Sequence, residues 1–323
     1  MAGAAISAFL ASVALGYLLV YRFGKLALDR PNERSLHRVP VPRTGGIALL
    51  AGVACALAFG IGSLWWLLGI VLFLAVISFV DDVNGLPTAA RLVAHLAAAG
   101  VVVWYVLSPM HPVEQLVLVL AIAWITNLYN FMDGSDGLAG GMAAIGFGAY
   151  AWASWLGDHV ALATLCAATA AASAGFLVHN FHPAKMFLGD VGSIPLGFLA
   201  GAVGVIGWRD DLWPLWFPVL AFGPFVADAT VTLIKRLVRG DRFWSAHREH
   251  YYQRMVRMGL GHRGTALLCY GAMATCAALA MGGRGQSPGM QAAAFGAGST
   301  ILGVLALWVD RRWRRFARQQ PAA

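Results

Sequence analysis

Short runs of aspartate, asparagine and glycine interrupt an otherwise apolar chain, and their spacing suits the handling of phosphate and a hard metal ion. Asp81-Asp82 closes one apolar run and is followed by Asn84-Gly85 and Pro87, a turn signal. Two acids at a helix C-terminus oppose the helix dipole, so they are either a solvated helix end or a working pair held at some cost. A second run reads Asn127-Leu-Tyr-Asn130-Phe-Met-Asp133-Gly134-Ser-Asp136-Gly137. If helical, Asn127, Asn130 and Asp133 share one stripe. Amides and carboxylates converging at a membrane edge suit Mg²⁺ or a polar ligand; the alternative is an Asx-rich turn between two spans. In a third run, Phe187-Leu-Gly189-Asp190-Val-Gly192-Ser193, two glycines flank an acid where the next helix begins. Asp190 is there either a helix N-cap or a hard oxygen donor, with Gly189 permitting close approach of a phosphate.

Basic and aromatic residues accompany these acids. Arg43 precedes Gly45-Gly46, which opens a helix after the basic, proline-stiffened segment holding Arg34, His37 and Arg38. Arg91 stands nine residues after Asp82, as a phosphate ligand or a snorkelling anchor. Phe187 suits a stacking surface or a lipid-interface anchor. Asp241-Arg242 and His247-Arg248-Glu-His250 alternate charge with aromatics, as an interfacial segment or a diphosphate-binding loop would. His179 and His182 lack strong zinc spacing. Asp228 lies about six residues inside an apolar stretch, where an acid is either functional or a hydrogen-bonded structural group. The four cysteines form no CxxC pair, which suggests neither metal nor disulfide.

These residues need scaffolding, and the composition says which kind. The chain is 59% hydrophobic and 12% charged over 323 residues. That much apolar surface requires a bilayer, spanned by helices of about 20 residues. Eleven apolar stretches are expected, at 4–22, 44–62, 64–80, 91–109, 113–129, 138–157, 160–178, 192–208, 213–234, 265–282 and 290–309. Threading them alternately puts 21 of the 23 Lys and Arg residues on one side, with Arg209 and Arg284 on the other. Positive charge marks the cytoplasmic side, so the N-terminus is expected outside and the C-terminus inside. The net charge of +8 then reflects topology and attraction to anionic lipids, not nucleic acid. The expectation is an all-α polytopic helix bundle, a single transmembrane domain over 1–323. Its cytoplasmic active-site loops fall at 23–43, 81–90, 130–137, 179–191 and 235–264, with helix breaks near Pro214, Pro218 and Pro224.

In order, the chain shows a basic Pro-Arg-x-Gly-Gly loop, Asp-Asp, Asn-x-x-Asn-x-x-Asp-Gly-x-Asp-Gly-Leu, Phe-Leu-Gly-Asp-x-Gly-Ser and a His-Arg-x-His loop. This set resembles the polyprenyl-phosphate N-acetylhexosamine-1-phosphate transferases, glycosyltransferase family 4, from about Arg30 to Arg254. The resemblance implies a bacterial inner-membrane enzyme that moves N-acetylhexosamine-1-phosphate from a UDP-sugar to undecaprenyl phosphate. UMP is released, and Mg²⁺ or Mn²⁺ is required. It implies Asp190 as the main metal ligand with Asn130 nearby, and Asp81 and Asp82 as the catalytic pair that orients or deprotonates the lipid phosphate. Asp133 and Asp136 match acids used in nucleotide binding or catalysis. Asn127 belongs to the same motif, as a substrate-binding position. Phe187 matches a stacking position, Arg91 matches a basic phosphate-ligand position, Arg43 of the Pro-Arg-x-Gly-Gly loop is a substrate-binding position, and His247, Arg248 and His250 match the sugar- and diphosphate-facing loop. Relatives often form homodimers. A consecutive His run marks the phospho-MurNAc-pentapeptide branch; His247-Arg-Glu-His250 instead points toward the branch initiating O-antigen or other surface polysaccharides. GlcNAc, FucNAc and QuiNAc donors stay open.

Two other classes compete. A transporter of nucleotide sugars or lipids requires polar residues through both faces, and Asp228 alone enters a span convincingly. An inactive scaffold predicts loss of a motif acid, yet all five are present.

Overall fold

Apolar runs bounded by polar turns become helices because a helix satisfies its own backbone where lipid cannot. A computed structural model of the chain describes residues 1–24, 27–29, 31, 36, 39–241 and 247–319, apart from the Val83 side chain. Arg30, Arg34, His37, Arg38 and Arg242 lie outside the described residues.

Helix α1 (Ala2–Arg22) is followed by a short antiparallel ladder of β1 (Leu28–Asp29) and β2 (Val41–Pro42), with Leu28 opposite Pro42. Then come α2 (Gly45–Ala54), α3 (Trp65–Asn84), α4 (Thr88–Leu107), α5 (Pro112–Phe131), α6 (Leu138–Leu156), α7 (Val160–Asn180) and α8 (Asp190–Arg209). The C-terminal third holds α9 (Trp216–Ala221), α10 (Gly223–Val238), α11 (Tyr251–Met255), α12 (Gly261–Gly283) and α13 (Pro288–Gln319). The protein is a polytopic, almost wholly helical membrane protein.

Eight helices among the described residues are long and apolar enough to cross a bilayer. The stretches 44–62, 138–157 and 213–234 account for the difference from eleven. The first yields a ten-residue helix and a 3₁₀ segment, Cys55–Phe59. The second is α6, long enough but diluted by glycines. The third breaks between α9 and α10, where Pro224 occupies the first turn of a new helix. Helices also outrun the apolar stretches: Asp81 and Asp82 lie in the last turn of α3, and Asn130 in that of α5.

Helix α8 is almost completely buried. It runs antiparallel to α5 at close range, for a Cβ on Gly197 would stand 2.7 Å from Tyr129 Cβ and 2.9 Å from the Ile125 carbonyl. This approach sets the C-terminal end of α5 beside the N-terminal end of α8. Helix α2 closes on the same point. Gly45 N donates to Phe187 O (2.9 Å), Gly46 N donates to Leu188 O (2.8 Å), and a Cβ on Gly46 would meet Gly192 N at 2.4 Å. Gly46→Ala is therefore expected to lower stability by about 1–3 kcal/mol through overpacking. Thermal unfolding in detergent should show this, beside Gly62→Ala, which faces open space and should change nothing. Away from these helix ends, Arg284 donates to the Ala153 and Leu212 carbonyls (2.9 and 2.7 Å), a helix-end clamp that explains one of the two basic residues set apart from the rest.

Candidate active site

Asp190 is the first residue of α8, and Gly189 takes the N-cap position with φ +70°, a left-handed conformation suited to glycine. The Asp190 side chain is thus released from capping its own helix. Asn130 Nδ2 donates to Asp190 Oδ1 (2.9 Å) and to Ser193 Oγ (3.0 Å). Around this knot stand two arginines. Arg91 Nη1 donates to Asp81 Oδ2 (2.9 Å) and lies 4.0 Å from Asp190 Oδ2. Arg43 pairs with Asp29 (3.0 Å) and approaches Asp82 at 3.9 Å.

The adjacent acids Asp81 and Asp82 differ in occupation. Asp81 Oδ1 accepts from Leu86 N (2.6 Å), closing the α3–α4 turn, and its other oxygen holds Arg91. Asp82 has the longer Arg43 contact. A cavity of about 260 Å³ is lined in part by Arg43, Asn130, Asp133, Asp136, Phe187 and Asp190. Six of the sequence candidates therefore share one cavity, and Asp81, Asp82 and Arg91 adjoin it through the arginine contacts.

Other candidates fall elsewhere. Helix α5 ends at Phe131, so the stripe expected of Asn127, Asn130 and Asp133 breaks before Asp133. Asn127 Nδ2 bonds back to the Ala123 carbonyl (2.7 Å), and its side chain meets buried His95. His250 is buried and caps α11 in a reciprocal bond with Gln253. His247 sits 4.8 Å from the His250 ring. Burial, the neighbouring His250 and Arg236 hold His247 down at about 4, so at neutral pH it is an uncharged hydrogen-bonding group, not a cation. Arg248 lies half-buried, with Arg257 Nη1 3.5 Å from its carbonyl. His179 belongs to the fold: its Nε2 is 3.0 Å from the Val13 carbonyl of α1.

Residues 64–208 match the glycosyl transferase family 4. A probable undecaprenyl-phosphate N-acetylglucosaminyl 1-phosphate transferase of Bacillus subtilis is 30% identical, over 76% of this chain and 74% of its own. The decaprenyl-phosphate N-acetylglucosaminephosphotransferase of Mycolicibacterium smegmatis is also 30% identical, over 78% and 74%. The phospho-N-acetylmuramoyl-pentapeptide-transferase of Halalkalibacterium halodurans is 26% identical, over 76% and 85%. The chain belongs to glycosyl transferase family 4. Membership makes it a phosphotransferase of the membrane.

The family 4 match runs from the start of α3 to the end of α8, so it contains Asp81, Asp82, Arg91, Asn130, Asp133, Asp136 and Asp190. Sequence reasoning passed over several groups at this family 4 site. Ser193 shares Asn130 with Asp190, and its place one turn along the helix was the signal available. Asp29 holds Arg43, Gln253 lines the cavity, and His262 reaches it from the start of α12. No short-range pattern marks these three, because each arrives from a distant segment.

Proposed function

We propose that the protein transfers N-acetylhexosamine-1-phosphate from a UDP-sugar to undecaprenyl phosphate, releasing UMP, as an early membrane step of surface glycan assembly. In this reading the site faces the cytoplasm of a bacterial inner membrane, the chain crosses eleven times, and Mg²⁺ is required. The observation that carries the reading is the Asn130–Asp190–Ser193 knot beside Arg91, whose Asn130 and Asp190 line one cavity with Arg43 and further carboxylates. The names of the relatives support a polyprenyl-phosphate acceptor and an N-acetylglucosamine phosphate group.

The donor set fits a hard cation. Every polar group in the knot is an oxygen or an amide, with no thiolate. Among the described residues no three His, Cys, Asp or Glu side chains form a ready cage. That suits Mg²⁺, which commonly takes one or two carboxylates and fills its shell with water and phosphate oxygens. Asp190, with Asn130 and Ser193 beside it, would hold the ion, which supplies positive charge against the diphosphate. The chain's own residues do the rest. Arg43 and Arg91 offer guanidinium forks to phosphate oxygens. Asp82 orients the lipid phosphate and keeps it from spreading over the arginines. An oxygen of that phosphate attacks the β-phosphorus of the donor. The new P–O bond forms as the bond from β-phosphorus to the bridging oxygen breaks, and that oxygen leaves with UMP. A strict base is unnecessary, since a phosphate monoester is already largely ionised at neutral pH.

Asp133 gives this reading a pH signature. Burial, and then the nearby charge of Asp190, raise its carboxyl to about 7. Above that pH the carboxylate is ionised and adds negative charge near Asp190, which favours a cation held there. Apparent Mg²⁺ affinity is expected to strengthen as pH rises, by up to about tenfold per unit, and to level off above about 7. Asp133→Asn should remove the component near 7 and leave that of Asp82, whose carboxyl burial and the charge of Asp190 raise to about 6, as read by Mg²⁺ titration of activity at each pH.

The deciding assay mixes purified protein, undecaprenyl phosphate, Mg²⁺ and a panel of UDP-N-acetylhexosamines, starting with UDP-GlcNAc. UMP release that needs both lipid and metal supports the reading. No release with any donor, from protein shown to be folded, would overturn it.

A further inference from the structure

The cavity is also lined by Ser135, Asp136 and His262, and with His182 these form a cluster outside the metal and phosphate groups. His182 Nδ1 donates to Asp136 Oδ2 at 2.6 Å, and Ala184 N donates to the same oxygen at 3.2 Å. His262 Nδ1 faces Ser135 Oγ at 2.9 Å and accepts from Asp136 N at 3.4 Å. The two imidazoles stack, with centroids 5.5 Å apart and planes 10° from parallel. Three segments distant in sequence thus meet at one carboxylate: the α5–α6 turn, the α7–α8 loop and the start of α12.

The contacts of Asp136 run to His182, Ala184 and His262, and none of them reaches Asn130, Asp190 or Asp81. The cluster is therefore set apart from the groups that handle charge on the phosphates. The turn itself is anchored independently. Gly137 N donates to Asn180 Oδ1 (2.9 Å), and Tyr270 OH donates to Gly137 O (2.6 Å). Tyr252 OH donates to Phe131 O at 3.2 Å. Removing either histidine leaves these backbone bonds in place, so the histidines are not what folds the turn. What they fix is the direction of one buried carboxylate that borders the cavity.

We propose that His182 and His262 are positioning residues that hold Asp136 for the nucleotide-sugar donor, and so set donor affinity and not the rate of transfer. His182 orients the carboxylate as a donor. His262 holds the Ser135–Asp136 segment as an acceptor and backs the His182 ring. This rests on the transferase reading for its substrate, but donor binding can be measured without turnover.

The test compares wild type with His182→Ala, His262→Ala, His182→Asn and His262→Asn in detergent. Asn places an amide where imidazole Nδ1 stands: its NH₂ replaces the donor of His182, and its oxygen the acceptor of His262. The alanine variants are expected to raise KM for the UDP-sugar about tenfold, with kcat within about twofold and KM for undecaprenyl phosphate unchanged. The asparagine variants should recover most of the loss. The thermal shift produced by UDP alone should be present in wild type, lost in the alanine variants and largely restored in the asparagine ones, while unfolding temperatures without UDP stay together. Three results overturn the proposal: a fall in kcat with unchanged KM, a parallel loss of thermal stability without rescue by asparagine, or no UDP shift in wild type. A UDP shift that obeys the pattern, in protein that releases no UMP, would sink the transferase reading and leave this one standing.

Discussion

Asp190→Asn is expected to lower UMP release by about a thousandfold while the protein stays folded. The substitution keeps the shape of the side chain and removes its charge. Asn130 Nδ2 still finds an oxygen acceptor at the start of α8, and Ser193 remains within reach of it. Stability should therefore change little. What is lost is the negative oxygen that would bind Mg²⁺ directly, in a place where Asn130 and Ser193 supply only neutral partners. Arg91, 4.0 Å from that carboxylate, also loses part of its counter-charge and is left to Asp81. Raising Mg²⁺ should recover little activity if the charge is essential to transfer, and much of it if the defect is confined to metal affinity. Equal activity in Asp190→Asn and wild type would remove Asp190 from the metal site and the proposed chemistry with it.

Legibility in the sequence followed the range over which each signal acts. The helices were readable because hydropathy is a property of twenty consecutive residues. The three stretches that fall short of the length or apolarity of a span, at α2, α6 and α9–α10, are those where glycine or proline dilutes or breaks a run that averaging treats as continuous. The motif acids were readable because each sits with its glycines within a few residues. Their division of labour was not. Asp81 and Asp82 are neighbours of one type, yet Asp81 closes a turn through Leu86 and holds Arg91, and only the folded chain tells them apart. The same limit hid His262, 126 residues from Asp136, and the part that His250, matched by resemblance to a sugar- and diphosphate-facing loop, plays as a buried cap of α11. The antiparallel closeness of α5 and α8 lies between these cases. Gly197 and Gly201 could be seen as small residues, but the partner they admit could not be named before the helices were placed.

Asp228, which the sequence left between function and structure, is expected to behave as a structural anchor. It lies in α10, buried, and its carboxylate receives Tyr251 N (2.8 Å) on one oxygen and Tyr252 N (2.9 Å) on the other. Thr232 Oγ1 adds a bond at 3.2 Å, and His250 Nδ1 lies at 3.3 Å. These backbone donors are the first two N–H groups of α11, which no residue within that short helix could satisfy. The acid thus caps a helix from a distant segment, and its charge suits the positive helix end. Asp228→Ala strands these groups in a buried position and is expected to cost about 3 kcal/mol or more. Asp228→Asn keeps one acceptor oxygen and should cost about half as much. Activity should fall in step with the folded fraction, because α11 carries Gln253 toward the cavity, while KM of the folded remainder holds. Thermal unfolding and steady-state kinetics on the same preparations separate the outcomes. Loss of turnover in Asp228→Asn at an unchanged unfolding temperature would move Asp228 from the scaffold into the chemistry.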